Sequence, residues 1–186
     1  MAESHVHGID SWIYRHREGL KAGLRILFGL IWIIDGAFKF QPGFIASGAW
    51  QPSPDGQPPW LQGWFTFWAN TTSSNPTLWV DTTGILEILL GLALVFGFMR
   101  KIAYSGGILL SMLIWSVPEG FGGPYGPSST DIGTGAVYAM VFLFLMIVNA
   151  GYGPSQYSLD RLIESRWPRW KAVAEIQGPW IREATK

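Results

Sequence analysis

The stretch IGTGAVYAMVFLFLMIVNA, Ile132 to Ala150, carries no charged residue, and its centre VYAMVFLFLMIV has no polar stripe on any helical face. A helix on the surface of a soluble domain keeps a polar face toward water, whereas crossing a bilayer takes about 20 mostly apolar residues. The stretch therefore predicts a membrane span, and the competing reading, a soluble all-α protein with very apolar core helices, fails on it. Three more segments fit the same pattern: AGLRILFGLIWIIDGAFKF from Ala22 to Phe40, TTGILEILLGLALVFGFM from Thr82 to Met99, and IAYSGGILLSMLIWSV from Ile102 to Val117. The expected fold is an all-α integral membrane four-helix bundle, with 22–151 as its membrane domain.

The basic residues orient it. Arg15, Arg17, Lys21 and Arg25 precede or open the first segment, and Arg100 and Lys101 form the turn between the second and third. Arg161, Arg166, Arg169, Lys171, Arg182 and Lys186 follow the fourth, leaving only Lys39 of the 13 basic residues on the other side. Cationic residues are retained on the cytoplasmic side, so both termini are expected there. Two outer loops follow, about 41–81 and 118–131. Residues 1–21 and 152–186 are expected as cytoplasmic amphipathic segments, the second broken at Pro168; a solvated tail is the alternative.

Composition excludes several chemistries. With no cysteine there is no disulfide, thiol chemistry or Cys-ligated cluster. The histidines, His5, His7 and His16, all precede the first segment, so no intramembrane His pair is available for a haem. No metal ligand set is expected, and no cofactor held by this chain; a quinone is the one such molecule the reading admits. The N-terminus lacks the apolar core and cleavage site of a signal peptide. Expected partners are the lipid bilayer and other membrane or extracytoplasmic subunits, with no nucleic acid.

Charges inside apolar helices are costly, about 2.5–3.5 kcal/mol on insertion scales, and mark interiors and functional sites. At 100° per residue Arg25, Gly29, Trp32, Gly36 and Lys39 form one narrow stripe with Asp35 beside it, and Gly84, Glu87 and Gly91 share a face of the second segment. Glycines on these faces allow close helix approach. Asp35 and Lys39, spaced i, i+4, are expected to pair, leaving Glu87 without a dedicated partner and suited to relaying protons. Glu119 and Asp131 fall at the same outer level, which predicts a polar cluster for a quinone headgroup, a small polar substrate or protons. A structural ion-pair network is the alternative. In the second outer loop, GFGGPYG offers backbone N–H groups to an anion or serves as a connector, and Ser128, Ser129, Thr130 and Asp131 are placed to cap the last helix. Trp60, Trp64 and Trp68, at i, i+4, i+8, predict a short interfacial helix, or else a lid or a docking surface.

The run Arg25-Ile-Leu-Phe-Gly29-Leu-Ile-Trp-Ile-Ile-Asp-Gly36-Ala-Phe-Lys39-Phe, with Glu87 among glycines in GILEILLGLAL, resembles the DoxX family of small four-span membrane proteins. VPEGFGGPYGPSSTDIG is similar to the DoxD-type small subunit of thiosulfate:quinone oxidoreductase. The resemblance, over residues 20–150, implies a membrane subunit of a quinone-linked oxidoreductase complex acting in sulfur or thiosulfate oxidation. The candidate reactive residues are then Glu87, Asp35 and Lys39, with Arg25, Trp32, Glu119, Tyr125 and Asp131 as substrate- or quinone-binding residues. The Trp-rich loop and basic tail have no counterpart in that pattern. A non-catalytic accessory or scaffold subunit and a small proton or solute transporter are the alternatives.

Overall fold

The computed structural model describes residues 8–48, 50–125, 131–153 and 155–176. Ser128, Ser129, Thr130, Trp180, Arg182, Lys186, His5 and His7 lie outside them, so the hydroxyl caps expected at 128–130 are not among the described features. The described residues form eight α-helices with no strand: α1 Ile9–Phe38, α2 Pro42–Ala46, α3 Pro59–Ser73, α4 Pro76–Phe96, α5 Arg100–Ser116, α6 Thr134–Tyr152, α7 Leu159–Arg166 and α8 Lys171–Ala174. Residues 9–21 are not a separate segment but the first turns of α1.

The four long helices share one core. Phe28 and Trp32 of α1, Leu94 of α4, Tyr104 of α5, and Phe142 and Leu145 of α6 are buried together. Their rings meet edge-on or tilted, as in Phe28–Phe142 at 4.9 Å and Trp32–Tyr138 at 5.5 Å between centroids. The glycine faces do what small residues allow between helices. A Cβ built on Gly91 would stand 2.6 Å from the Gly29 carbonyl oxygen, and one on Gly36 would stand 2.8 Å from that of Gly84. Thus α1 and α4 lie backbone to backbone, antiparallel, with Gly29 beside Gly91 and Gly36 beside Gly84. On the other side Gly107 of α5 receives the Phe142 ring of α6.

Helix ends are set by local chemistry. Asn75 Oδ1 accepts from Leu78 N at 3.1 Å and Pro76 occupies the first turn of α4. At its far end Gly97, at φ 64°, takes the left-handed conformation while Phe98 N donates to Ala93 O and Gly97 N to Leu94 O, a Schellman ending. Arg100 then starts α5 after two residues. We refer to this as the Arg100 end of the molecule; Lys39, Glu119 and Thr134 lie at the opposite, Lys39 end.

The outward faces are apolar. Leu27 and Ile34 of α1, Ile85 and Leu89 of α4, Leu109 of α5, and Met140, Phe144 and Ile147 of α6 are all exposed. An apolar surface of that extent is not kept in water by a soluble monomer. Pro76–Phe96 and Thr134–Tyr152 are long and apolar enough to cross a membrane. The other two segments read as spans differ for physical reasons: α1 includes Arg25 and Asp35, and α5, with 17 residues, reaches about 26 Å at 1.5 Å per residue.

Candidate functional site

At the Lys39 end the long helices diverge around a cavity of about 290 Å³, bordered by Trp32, Asp35, Lys39, Glu87, Glu119 and Tyr138 among others. The first turns of α6 and the last turns of α1 supply its walls, and Phe44 of α2 lies over the Lys39 ammonium, 5.6 Å from ring centre to Nζ. Helix α3 contributes no lining residue, so of the roles expected for it a lid over this cavity is not the one observed. It packs beside the cavity, with Trp64 Nε1 donating to Ser116 O at 2.9 Å and Trp68 against Trp79.

The charges pair differently from the helical-spacing expectation. Lys39 Nζ donates to Glu87 Oε2 at 2.6 Å across α1 and α4, while its nearest contact on Asp35 is the backbone oxygen at 3.5 Å. The Asp35 carboxylate instead accepts from the Tyr138 hydroxyl of α6 at 3.2 Å. Glu87 is only 2% exposed, and an unpaired carboxylate buried that deeply is costly. Hence the cation goes to Glu87, and Asp35 takes a neutral donor. Glu87 is therefore not left without a dedicated partner.

Trp32 forms the cavity's inner wall. Its indole Nε1 is buried with no hydrogen-bond partner. Glu119 borders the cavity but is engaged: its two oxygens accept from Gly135 N at 2.9 and 3.2 Å and cap α6. Of the residues expected to cap this helix, only Asp131 is among those described. Asp131 instead closes a local turn, accepting from Gly133 N at 2.7 Å, and is exposed outside the cavity. Tyr125 is also elsewhere. Its hydroxyl donates to Phe121 O, and it borders a separate aromatic cavity of about 420 Å³ with Trp60, Trp115 and Gln57. The N–H groups of Gly120, Gly122 and Gly123 donate to the carbonyls of Val117, Glu119 and Gly120, so these three are taken up within the chain and not held out to an anion; Gly126 of the GFGGPYG run lies outside the described residues.

Arg25 lies far from this cavity. It is buried at the Arg100 end, where Nη2 donates to Tyr157 O at 2.6 Å and the guanidinium packs on Gly97. It holds the segment after α6, not a ligand at the Lys39 end.

A second polar cluster at that end went unrecognised in the sequence. Arg100, 1% exposed, donates through Nε to Asp160 Oδ2 at 2.9 Å, through Nη1 to Asn149 Oδ1 at 3.4 Å, and through Nη2 to Glu175. Asp160 also accepts from Met99 N, Arg100 N and Trp170 Nε1 at 2.8, 3.0 and 2.8 Å. Residues 155–176, the described part of the tail, are thus docked against the Arg100 end of the long helices, with α7 ending just before Pro168. Asp160 and Glu164, four apart and on one helical face, were the readable signal. Glu164 stands 3.9 Å from Arg100 Nη2, and burial, more than Arg100's opposing pull, holds its carboxyl above the ordinary range.

An all-α chain with an apolar outer surface and charged groups gathered between its long helices is a membrane protein. The chain belongs to the DoxX family, whose model, described as DoxX, matches residues 20–118. That span takes in α1 from Leu20 onward, all of α4 and α5, and the Lys39–Glu87 pair. No curated protein and no solved structure matches the chain.

Proposed function

We propose that this DoxX-family protein is the membrane subunit of a quinone-linked oxidoreductase complex and that the cavity at the Lys39 end receives the quinone headgroup. In this reading α1, α4, α5 and α6 cross the cytoplasmic membrane of a prokaryote as a four-helix bundle. Both termini are cytoplasmic, and the cavity opens toward the outer face. The basic residues concentrated about the Arg100 end support that orientation.

The observation that carries the headgroup reading is the unpartnered Trp32 Nε1 beside two paired polar groups in a cavity of about 290 Å³. That volume is near the lower bound for ligand sites, about 300 Å³, which suits a single ring. A quinone presents two carbonyl acceptors; in this reading they take Lys39 Nζ and the unpartnered Trp32 Nε1 as donors, the Tyr138 hydrogen being already given to Asp35. Reduction of a quinone consumes two electrons and two protons; in this reading the Lys39 ammonium gives a proton, and the Glu87 and Asp35 carboxylates relay protons taken up from solvent. Electrons would come from a partner subunit; the DoxD-like VPEGFGGPYGPSSTDIG stretch makes thiosulfate or another sulfur compound the proposed donor.

The test is quinone binding and turnover by the complex purified in mild detergent. Glu87→Gln should lower quinone-linked turnover. Trp32→Phe should weaken quinone binding several-fold, as loss of one hydrogen bond worth about 1 kcal/mol implies. Unchanged turnover and affinity in both variants, at normal expression, would refute the headgroup site.

One observation favours a second reading, a non-catalytic scaffold subunit: all three cavity carboxylates already have partners, Glu87 with Lys39, Asp35 with Tyr138 and Glu119 with Gly135 N. Under it, partner subunits co-purify, and Glu87→Gln weakens assembly without altering turnover of the complex that forms.

A further inference from the structure

Helices α4 and α5 are joined by a tight turn yet do not pack along their length. Between them runs an apolar groove of about 600 Å³, walled by Leu89 and Ala93 on α4 and by Gly106 and Leu110 on α5, and closed at the Arg100 end by Leu159 of α7. A Cβ built on Gly106 meets no atom within 4 Å, so nothing in the protein fills the α5 wall there.

Two features narrow the occupant. The α4 wall from Leu86 to Phe96 is about 15 Å long at 1.5 Å per residue. That is half the roughly 30 Å hydrocarbon core, too short to seat a helix crossing the membrane but sufficient for an extended chain. The groove also begins beside the polar cavity. Leu90 follows Glu87 by three positions on α4, and Leu110 precedes Ile114 by four on α5, with Glu87 and Ile114 lining the cavity and Leu90 and Leu110 the groove. Residues so spaced are neighbours on a helix surface. A polar space for a ring and an apolar channel for a chain thus lie one helical turn apart.

We infer that the ligand is an amphiphile, a quinone with a long prenyl chain, whose ring sits in the cavity and whose chain lies in the α4–α5 groove. This rests on the headgroup reading and adds the class of quinone and the path of its tail. It also gives α7 a role, since docking of the tail segment through Arg100 and Asp160 places Leu159 at the groove's end.

The experiment uses the full chain in lipid nanodiscs with two probes, a quinone bearing a single prenyl unit and a polyprenyl quinone carrying a photoreactive group in its chain. Photolysis should place adducts on Leu89–Ala93 and Ile102–Leu110. Gly106→Phe, or Ala93→Phe should that variant fold poorly, should lower the polyprenyl-to-short affinity ratio several-fold, because the added ring takes up the space of the chain. Val137→Phe, on the outward face of α6, should leave the ratio unchanged. Adducts spread over outward faces such as Met140–Phe144, or a ratio unmoved by both groove variants, would overturn the tail assignment while leaving the headgroup site standing. Groove adducts insensitive to Lys39→Met would reduce the groove to an ordinary lipid contact and overturn the amphiphile. If neither quinone binds, the headgroup reading falls, and this inference with it.

Discussion

Lys39 shows how a local rule yields to burial. The i, i+4 spacing points it at Asp35, but Glu87, 2% exposed between α1 and α4, has the greater need of a cation, and Gly36 and Gly84 bring the helices close enough to supply one. Lys39→Met should destabilise the protein by about 3–5 kcal/mol, the cost of leaving one member of a buried pair. Adding Glu87→Gln should recover much of that loss, as thermal unfolding in detergent would show; an unchanged midpoint in the single variant would remove the pair from the account. Glu164 makes a pH prediction. Its folded-state pKa lies above the ordinary carboxylate value, so the folded chain holds the proton to higher pH. The stability it contributes is then whole below 4.5 and lost as pH rises through the raised value. Measured against Glu164→Gln, wild type should lose relative stability as pH climbs above 4.5, with the difference flat below it. The interior stripe Arg25, Gly29, Trp32, Gly36 and the face Gly84, Glu87, Gly91 were legible because helical periodicity alone places them. The partners of Lys39, Asp35 and Arg25 were not, because they depend on the register between helices.

Among the elements, α1 and α4 are held by backbone contact at two glycine pairs, and their packing tolerates no added side chain there. Gly91→Val should force them apart and cost about 1–3 kcal/mol, the usual range for overpacking. Gly106→Ala on the open face of α5 should be nearly neutral in the same unfolding measurement. The α7–α8 segment is held mainly by Arg100, so Arg100→Met should release it. Limited proteolysis should then cut within residues 155–175 several times faster while α1, α4, α5 and α6 remain resistant; equal resistance in the variant would mean the segment is held by its apolar contacts. Helix α3 was legible from its Trp60, Trp64, Trp68 spacing. Docking of the tail was not, because Arg100 has the same appearance in sequence whether it marks membrane orientation or anchors a buried network.

Across the whole molecule, the apolar outer surface, the two polar ends and the DoxX match describe one object: a membrane protein with a polar cavity at the end opposite Arg100. Residues 132–150 announced the membrane character through their lack of any polar face, whereas α1 and α5 depart from the ideal span in charge and in length. Their crossing is the central claim, since the cavity's access, the groove's depth and the side proposed for the tail all follow from it. The chain has no cysteine, so single cysteines can be placed without background and probed in intact cells with a membrane-impermeant maleimide. Lys101→Cys and Ala172→Cys should label only after the membrane is opened, and Gln51→Cys and Gln62→Cys should label from outside. External labelling at Lys101→Cys, or identical labelling at all four positions, would contradict the account.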